Sequence, residues 1–201
     1  MGNITVTNIT KSYGEKTVLN NVTLCFEEGK RTALMGQSGC GKTTLLRIIA
    51  GLESADGGEI SGIGAGDFGL VFQEARLFPT ASAEENVSVV RRNKKDGFAA
   101  DALRALGFEE TDIKKRPKEL SGGMQRRVAV ARAIAYCDQL YADGKRPILL
   151  LDEAIKELDS ETAKRTLSYI TEFCERTGCT VITVTHDSEE AKSFCHTVIH
   201  L

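Results

Sequence analysis

The chain has 201 residues and a formal net charge of −2, with 41% hydrophobic and 27% charged residues. That length suits one large domain of ordinary soluble-globular composition, and the near-neutral balance supplies no global basic field for nucleic acid. No apolar run approaches the ~20 residues needed to span a bilayer, and Met1-Gly2-Asn3-Ile4-Thr5 has neither the basic region nor the apolar core of a secretory signal. Gly2 follows the initial Met, but Val6 stands where a myristoylation site needs Ser or Thr.

Residues 3–9, with Ile4, Val6 and Ile9, suggest a strand, and Lys11-Ser12-Tyr13-Gly14 a turn carrying an exposed aromatic. Residues 18–26 place Val22, Leu24 and Phe26 at period two and read as a second strand. These predict a small antiparallel sheet laid against the core. Arg31-Thr32-Ala33-Leu34-Met35 then reads as a buried strand, and residues 45–50 as a helix stopping at Gly51.

Between them lies Gly36-Gln37-Ser38-Gly39-Cys40-Gly41-Lys42-Thr43-Thr44. Strand, glycine-rich turn, Lys-Thr and helix are the parts of a phosphate-cradling P-loop. The glycines let successive N–H groups turn inward on an anion, and the helix N-terminus adds its positive dipole end. The motif sends Lys42 to the β- and γ-phosphates and the Thr43 hydroxyl to Mg²⁺.

Residues 56–67 hold little beyond short edge strands, and Phe68-Gly69-Leu70-Val71-Phe72 reads as a buried strand ending at Gln73. Pro79 interrupts any helix there. Residues 80–140 look helical. Phe98, Ala102 and Leu106 share a face before Gly107. A second helix carries one stripe of Val128, Ala131 and Ala135 and another of Val130 and Ile134, as in a well-buried helix. Ile148-Leu149-Leu150-Leu151 predicts a central parallel strand. An amphipathic helix through Ala163, Leu167, Ile170 and Cys174 follows, then a strand at 181–185, a helix at 188–194 and a last strand at 197–201. The βαβ alternation argues for a parallel sheet flanked by helices.

The chemistry concentrates at a few points. Asp152 ends an apolar strand, where open α/β sheets bind ligands, and can hold the Mg²⁺ water shell. Ser121-Gly122-Gly123 opens a helix and forms a second anion trap, with a capping hydroxyl and bare N–H groups. The six cysteines are scattered, which favours a reducing compartment and thiols used as small apolar fillers. Cys174, Cys179, Cys195 and His196 match no standard zinc spacing. Cys40 lies inside the P-loop, where oxidation would reach the nucleotide site. Arg91-Arg92-Asn93-Lys94-Lys95 reads as a solvated surface turn, with contact to anionic lipid or an acidic partner loop as the sharper alternative.

Taken in order, Tyr13, the P-loop, Gln73, Leu120-Ser121-Gly122-Gly123-Met124-Gln125, Asp152-Glu153, Leu158-Asp159 and His186 resemble the ATP-binding subunit of ABC transporters over essentially the whole chain. The fold implied is a P-loop NTPase of α/β class: a mainly parallel sheet core, an N-terminal antiparallel β subdomain and an inserted helical subdomain. Residues 1–79 and 141–201 would form the nucleotide-binding core and 80–140 the helical part. By resemblance, Glu153 polarises the attacking water, His186 contacts the γ-phosphate, Gln73 touches Mg²⁺ and Tyr13 stacks on adenine. Ser121, Gly122 and Gly123 would bind the γ-phosphate of ATP held by a partner's P-loop, and Leu158 and Asp159 would make dimer contacts. The ligands implied are ATP and Mg²⁺. The partners implied are a separately encoded transmembrane permease, docked around Arg76-Leu77-Phe78-Pro79, a second ATPase subunit in a homodimer or heterodimer, and an extracytoplasmic solute-binding protein. No nucleic acid is expected. The place implied is the cytoplasmic face of the membrane.

The resemblance has departures. Met124 stands where Gln is commonest. Ala154-Ile155-Lys156-Glu157 replaces the usual Pro, Phe and Ser-Ala before Leu158-Asp159. Thr80 stands where importer subunits often place Trp, and Leu201 precedes the usual closing hairpin and helix, so a minimal cassette is expected. Leu-Phe-Pro after Gln73 leans towards importers of nitrate, sulfonate or taurine type. The alternatives are a non-transport ABC clamp on DNA or ribosome, a scaffold that does not hydrolyse, and a small-molecule kinase. The kinase leaves Ser121-Gly122-Gly123 and His186 unexplained.

Overall fold

The computed structural model describes residues 2–201. The first two strands, β1 (Ile4–Tyr13) and β2 (Lys16–Phe26), form a hairpin, and β3 (Arg31–Met35) leads into α1 (Lys42–Ile49). β4 (Gly57–Ser61) returns to pair with β1, giving a three-stranded antiparallel sheet of order β2-β1-β4. Ile4, Val6 and Ile9 all reach the core although their spacing breaks period two. The reason is a register shift between Val6 and Ile9, where Asn8 takes a φ of 54°. Asn tolerates that region, and the Asn8 N–H and side chain are both bonded to the Thr23 hydroxyl. The expected turn at 11–14 is corrected here. Lys11, Ser12 and Tyr13 pair with Leu19, Thr17 and Lys16, so the strand runs through them and the chain reverses at Gly14-Glu15.

The remaining strands are β5 (Phe68–Val71), β6 (Ile148–Asp152), β7 (Thr180–Val184) and β8 (Thr197–His200). With β3 they build a five-stranded parallel sheet of order β5-β6-β7-β3-β8. β5 stops one residue short of the expected Phe72. The unbroken apolar run of β6 follows from burial on both faces. Ile148 and Leu150 join α1 and the antiparallel sheet in one core cluster. Leu149 and Leu151 join α5 (Gly122–Ala142) and α6 (Ser160–Thr177) in another. A last helix, α7 (Ser188–Phe194), leads to β8.

Between β5 and β6 lie α2 (Ala83–Ser88), α3 (Phe98–Ala105), α4 (Glu110–Ile113) and α5. The two stripes of α5 point to different cores. Val128, Ala131 and Ala135 pack with α2 and α3, whereas Val130, Ile134 and Cys137 pack on the parallel sheet. Contact there is close: a Cβ built on Gly69 of β5 would lie 2.5 Å from the Ala133 carbonyl and 2.8 Å from the Cys137 sulfur. Gly69→Ala is therefore expected to lower unfolding free energy by about 1–3 kcal/mol, as overpacking does. Urea unfolding followed by circular dichroism measures it, and an unchanged midpoint would show that the sheet and α5 part without strain.

The helical expectation for 80–140 is corrected at 89–97, which form turns ending at Gly97, with φ 83°. Residues 92–95 are exposed on those turns, as the surface-turn reading has it, and Arg91 is the exception. Arg91 is pinned by Asp96 at 2.7 Å and Asp138 at 2.8 Å, donates to the Ala135 carbonyl, and lies 4.2 Å from the Phe98 ring centroid. Arg92 makes a two-pronged pair with Asp143, both bonds at 2.8 Å. Lys94 and Lys95 are exposed.

Three thiols behave as core filler. Cys137, Cys174 and Cys179 are buried. Burial first, and then the neighbouring Cys137 and Cys174 side chains, push the Cys179 thiol well up. Cys25 is exposed, and Cys40 and Cys195 are half-buried. Among the described residues no three His, Cys, Asp or Glu side chains are grouped to hold a metal ion.

Candidate functional site

The carboxyl ends of four parallel strands deliver the chemistry to one edge of the sheet. β3 runs into the glycine-rich loop, β5 precedes Gln73, β6 ends at Asp152 before Glu153, and β7 precedes Thr185 and His186. This is the edge at which open α/β sheets bind ligands.

The loop is pressed against the antiparallel hairpin. Gly41 has a φ of 100°, and a Cβ there would meet the Leu19 side chain at 2.6 Å. Gly41 precedes α1 without a side-chain cap, so the first N–H groups of that helix face outward for an anion. Lys42 is 5% exposed, and its ammonium donates to the carbonyls of Gly36 at 2.9 Å and Gln37 at 2.8 Å. The Cys40 sulfur stands 3.6 Å from it. Thr43 Oγ1 donates to Asp152 Oδ1 at 3.0 Å. A cavity of about 640 Å³ opens over the loop; Tyr13, Val18, Ser38, Gly39, Thr44, Gln73, Glu153, Lys156 and His186 all line it. Tyr13 is half-exposed, its hydroxyl donates to the Glu53 carboxylate, and the Lys11 ammonium stands 5.4 Å from its ring centroid.

Glu153 is the most heavily constrained of these residues. Its backbone sits at φ 50°, a costly region for a residue with a side chain. The Glu153 N–H donates to Val184 O at 3.1 Å, and Arg126 of α5 donates to its carbonyl at 2.6 Å. The carboxylate receives His186 Nε2 at 2.9 Å on Oε1, and Lys156 Nζ at 2.8 Å and Gln73 Nε2 at 3.3 Å on Oε2. The adjacent carboxyls are shifted in opposite directions. Burial pushes Asp152 up, against the Thr43 hydrogen bond. Burial also acts to raise Glu153, but Lys156 and then His186 outweigh it and hold that carboxyl below its ordinary range.

Ser121, Gly122 and Gly123 are not among the residues lining the cavity. Ser121 caps α5, accepting from the Met124 N–H at 3.2 Å. A Cβ on Gly122 would meet nothing within 4 Å, whereas one on Gly123 would lie 3.1 Å from Leu158 Cδ2. Leu158 thus packs onto the Ser-Gly-Gly turn, and Asp159 caps α6 through the Thr162 N–H at 3.0 Å. One chain brings together the loop, Tyr13, Gln73, Asp152, Glu153 and His186, and leaves the second anion trap outside. Sequence reasoning missed two residues that touch Glu153. Lys156 was visible only as a departure from the resemblance, and Arg126, on a helix 27 residues away, carried no signal at all.

Parallel sheet, glycine-rich loop and inserted helices define the P-loop NTPase fold. The pattern of the ABC transporter family matches residues 19–156, and the chain belongs to that family. It is 38% identical to the Fe(3+) ions import ATP-binding protein of Brucella abortus strain 2308, over 98% of this chain and 58% of that one. It is 41% identical to the aliphatic sulfonates import ATP-binding protein of Pectobacterium atrosepticum, over 95% of this chain and 71% of that one. The spermidine/putrescine import ATP-binding protein of Pasteurella multocida is 37% identical, covering 98% and 55%. The chain thus spans little more than half the length of several relatives it matches. Its structure superposes on a dimeric bacterial ABC transporter cassette with a TM-score of 0.85, at 32% identity, covering 98% of this chain and 94% of that one. A post-hydrolysis dimer of that cassette with ADP and Pi gives 0.84 at 33% identity. Among the described residues no helix is long and apolar enough to cross a membrane.

Proposed function

We propose that the chain is an ATP-hydrolysing motor subunit of an import system, working as a head-to-tail pair on a separately encoded permease at the cytoplasmic face of the membrane. The observation that carries this is the half-site. Thr43, Asp152, Gln73, Glu153 and His186 converge at the loop, while Ser121 to Gly123 lie outside that cavity, which supports a role for their N–H groups on a partner's nucleotide. The cassette in the similar solved structures is dimeric, and one of them holds ADP and Pi.

Mg²⁺ fits the donor set. The Thr43 hydroxyl and the Asp152 carboxylate are hard oxygen ligands 3.0 Å apart, and Gln73 is within reach of the same cavity. The ion would neutralise charge on the β- and γ-phosphates. Lys42 would exchange its two carbonyl partners for phosphate oxygens, Tyr13 would stack on adenine, and Glu153 would orient and deprotonate the attacking water. His186 would hold the γ-phosphate, and Leu158 and Asp159 would sit at the dimer seam.

The relatives are named for iron, sulfonate and polyamine import at 37–41% identity. Such unlike cargo argues that the permease and its solute-binding protein choose the substrate. Residues 76–79 are the proposed docking edge. Phe78 is 52% exposed, while Arg132 fixes the backbone behind it through the Ala75 and Arg76 carbonyls at 3.1 Å. The test is affinity purification after mild detergent extraction of cells. Recovery of a multi-span membrane protein, lost on Phe78→Asp, is the expected result. Recovery with ribosomes or DNA instead would favour the clamp reading.

A further inference from the structure

The Glu153 carboxylate has more partners than a water-activating group can keep. Both oxygens are taken, by His186 on one and by Gln73 and Lys156 on the other. On the reading above, Gln73 and His186 turn to the metal and the γ-phosphate when nucleotide binds. Lys156 is differently placed. It lies on the turn that follows Glu153, closed by the Lys156 N–H to the Glu153 carbonyl at 3.2 Å. Ala154 and Ile155, at 2% and 7% exposure, anchor that turn in the core. Its side chain is half-exposed and lines the nucleotide cavity. The Glu153 backbone is fixed by Arg126 and Val184, so the carboxylate moves only through its own side-chain torsions. A lysine on the adjoining turn can follow it through that range, because its stem is long and its ammonium donates in any direction.

We propose that Lys156 is a positioning residue for hydrolysis, the contact that keeps the Glu153 carboxylate aimed into the nucleotide pocket after Gln73 and His186 have moved to the ligand. The inference rests on the reading of Glu153 as the water-activating group. With Oε2 held by Lys156, release of Oε1 by His186 leaves one oxygen free for water in a defined direction. Orientation of this kind acts on the chemical step and not on nucleotide binding.

The test is steady-state MgATP hydrolysis by the full chain, with nucleotide affinity and thermal midpoint measured on the same preparations. Lys156→Ala and Lys156→Met, the latter keeping the apolar stem, are each expected to lower kcat about tenfold, the scale of a lost charged hydrogen bond. KM, nucleotide affinity and thermal midpoint should stay within about twofold or a degree or two of wild type. Lys156→Arg should recover most of the rate. On a Glu153→Gln background, Lys156→Ala should cost nothing further. An unchanged kcat in Lys156→Ala, a rise in KM (a phosphate contact), or Arg no better than Ala would each overturn the proposal. Glu153→Gln is run beside them. If it retains turnover, the underlying reading of Glu153 has failed; if it is inactive while Lys156→Ala is not, only the role of Lys156 has.

Discussion

Glu153→Gln is expected to cut ATP turnover at least about 100-fold while leaving nucleotide binding intact, the usual scale for removing a general base. The substitution is nearly isosteric, and a glutamine can still accept from His186 or Lys156 through its amide oxygen. The φ of 50° and the Arg126 bond to the carbonyl belong to the backbone and survive the change. What disappears is the negative charge and the capacity to take a proton from water. Lys42, Thr43 and Asp152, the residues proposed for the phosphates and the metal, are untouched. The variant should therefore bind MgATP, close and remain closed, and size-exclusion chromatography with ATP should show a larger dimer fraction than for wild type. Wild-type turnover in this variant would remove Glu153 from the chemistry and leave the Gln73–Glu153–His186 cluster as a purely structural contact.

The parts of this molecule written in contiguous residues were legible in the sequence. The apolar run of β6 announced a central parallel strand, and the two stripes of α5 announced a well-buried helix, whose two separate cores only the structure shows. The glycine-rich loop was readable for the same reason, since a tight turn between strand and helix needs its glycines in consecutive sequence. What was not legible depends on distant partners. Tyr13 lies in a strand because Lys16 pairs with it, and nothing local to 11–14 separates a turn from a bulged strand. Arg91 resembles any surface arginine until Asp138, 47 residues on, is placed beside it. The environment of Glu153 failed in the same way. The Asp-Glu pair was found from its strand, but its ties to Arg126 and Gln73 come from two other segments, and its tie to Lys156 from the way the next turn folds back.

A pair of variants should show whether the active site is shared between chains. Lys42→Ala removes a buried ammonium whose partners in the structure all belong to the loop, the Gly36 and Gln37 carbonyls and the Cys40 sulfur, so its expected effect falls on nucleotide affinity and turnover together. Ser121→Asp preserves the N-cap of α5, because Asp caps as well as Ser. It also sets a negative charge where the proposed γ-phosphate of a partner's nucleotide would approach. It should bind ATP as an open monomer like wild type, yet fail to close and lose about 100-fold or more in turnover, as when a donor aimed at developing charge is lost. The decisive sample is the equimolar mixture. In a head-to-tail heterodimer, the Ser121→Asp chain supplies an intact Lys42 and the Lys42→Ala chain supplies an intact Ser121. One of that heterodimer's two sites is then whole, so about a quarter of all sites in a statistical mixture are intact. Turnover in the mixture should exceed the sum of the two variants measured separately. A mixture no faster than its components would mean that each chain hydrolyses with its own residues, and the half-site reading would fall with it.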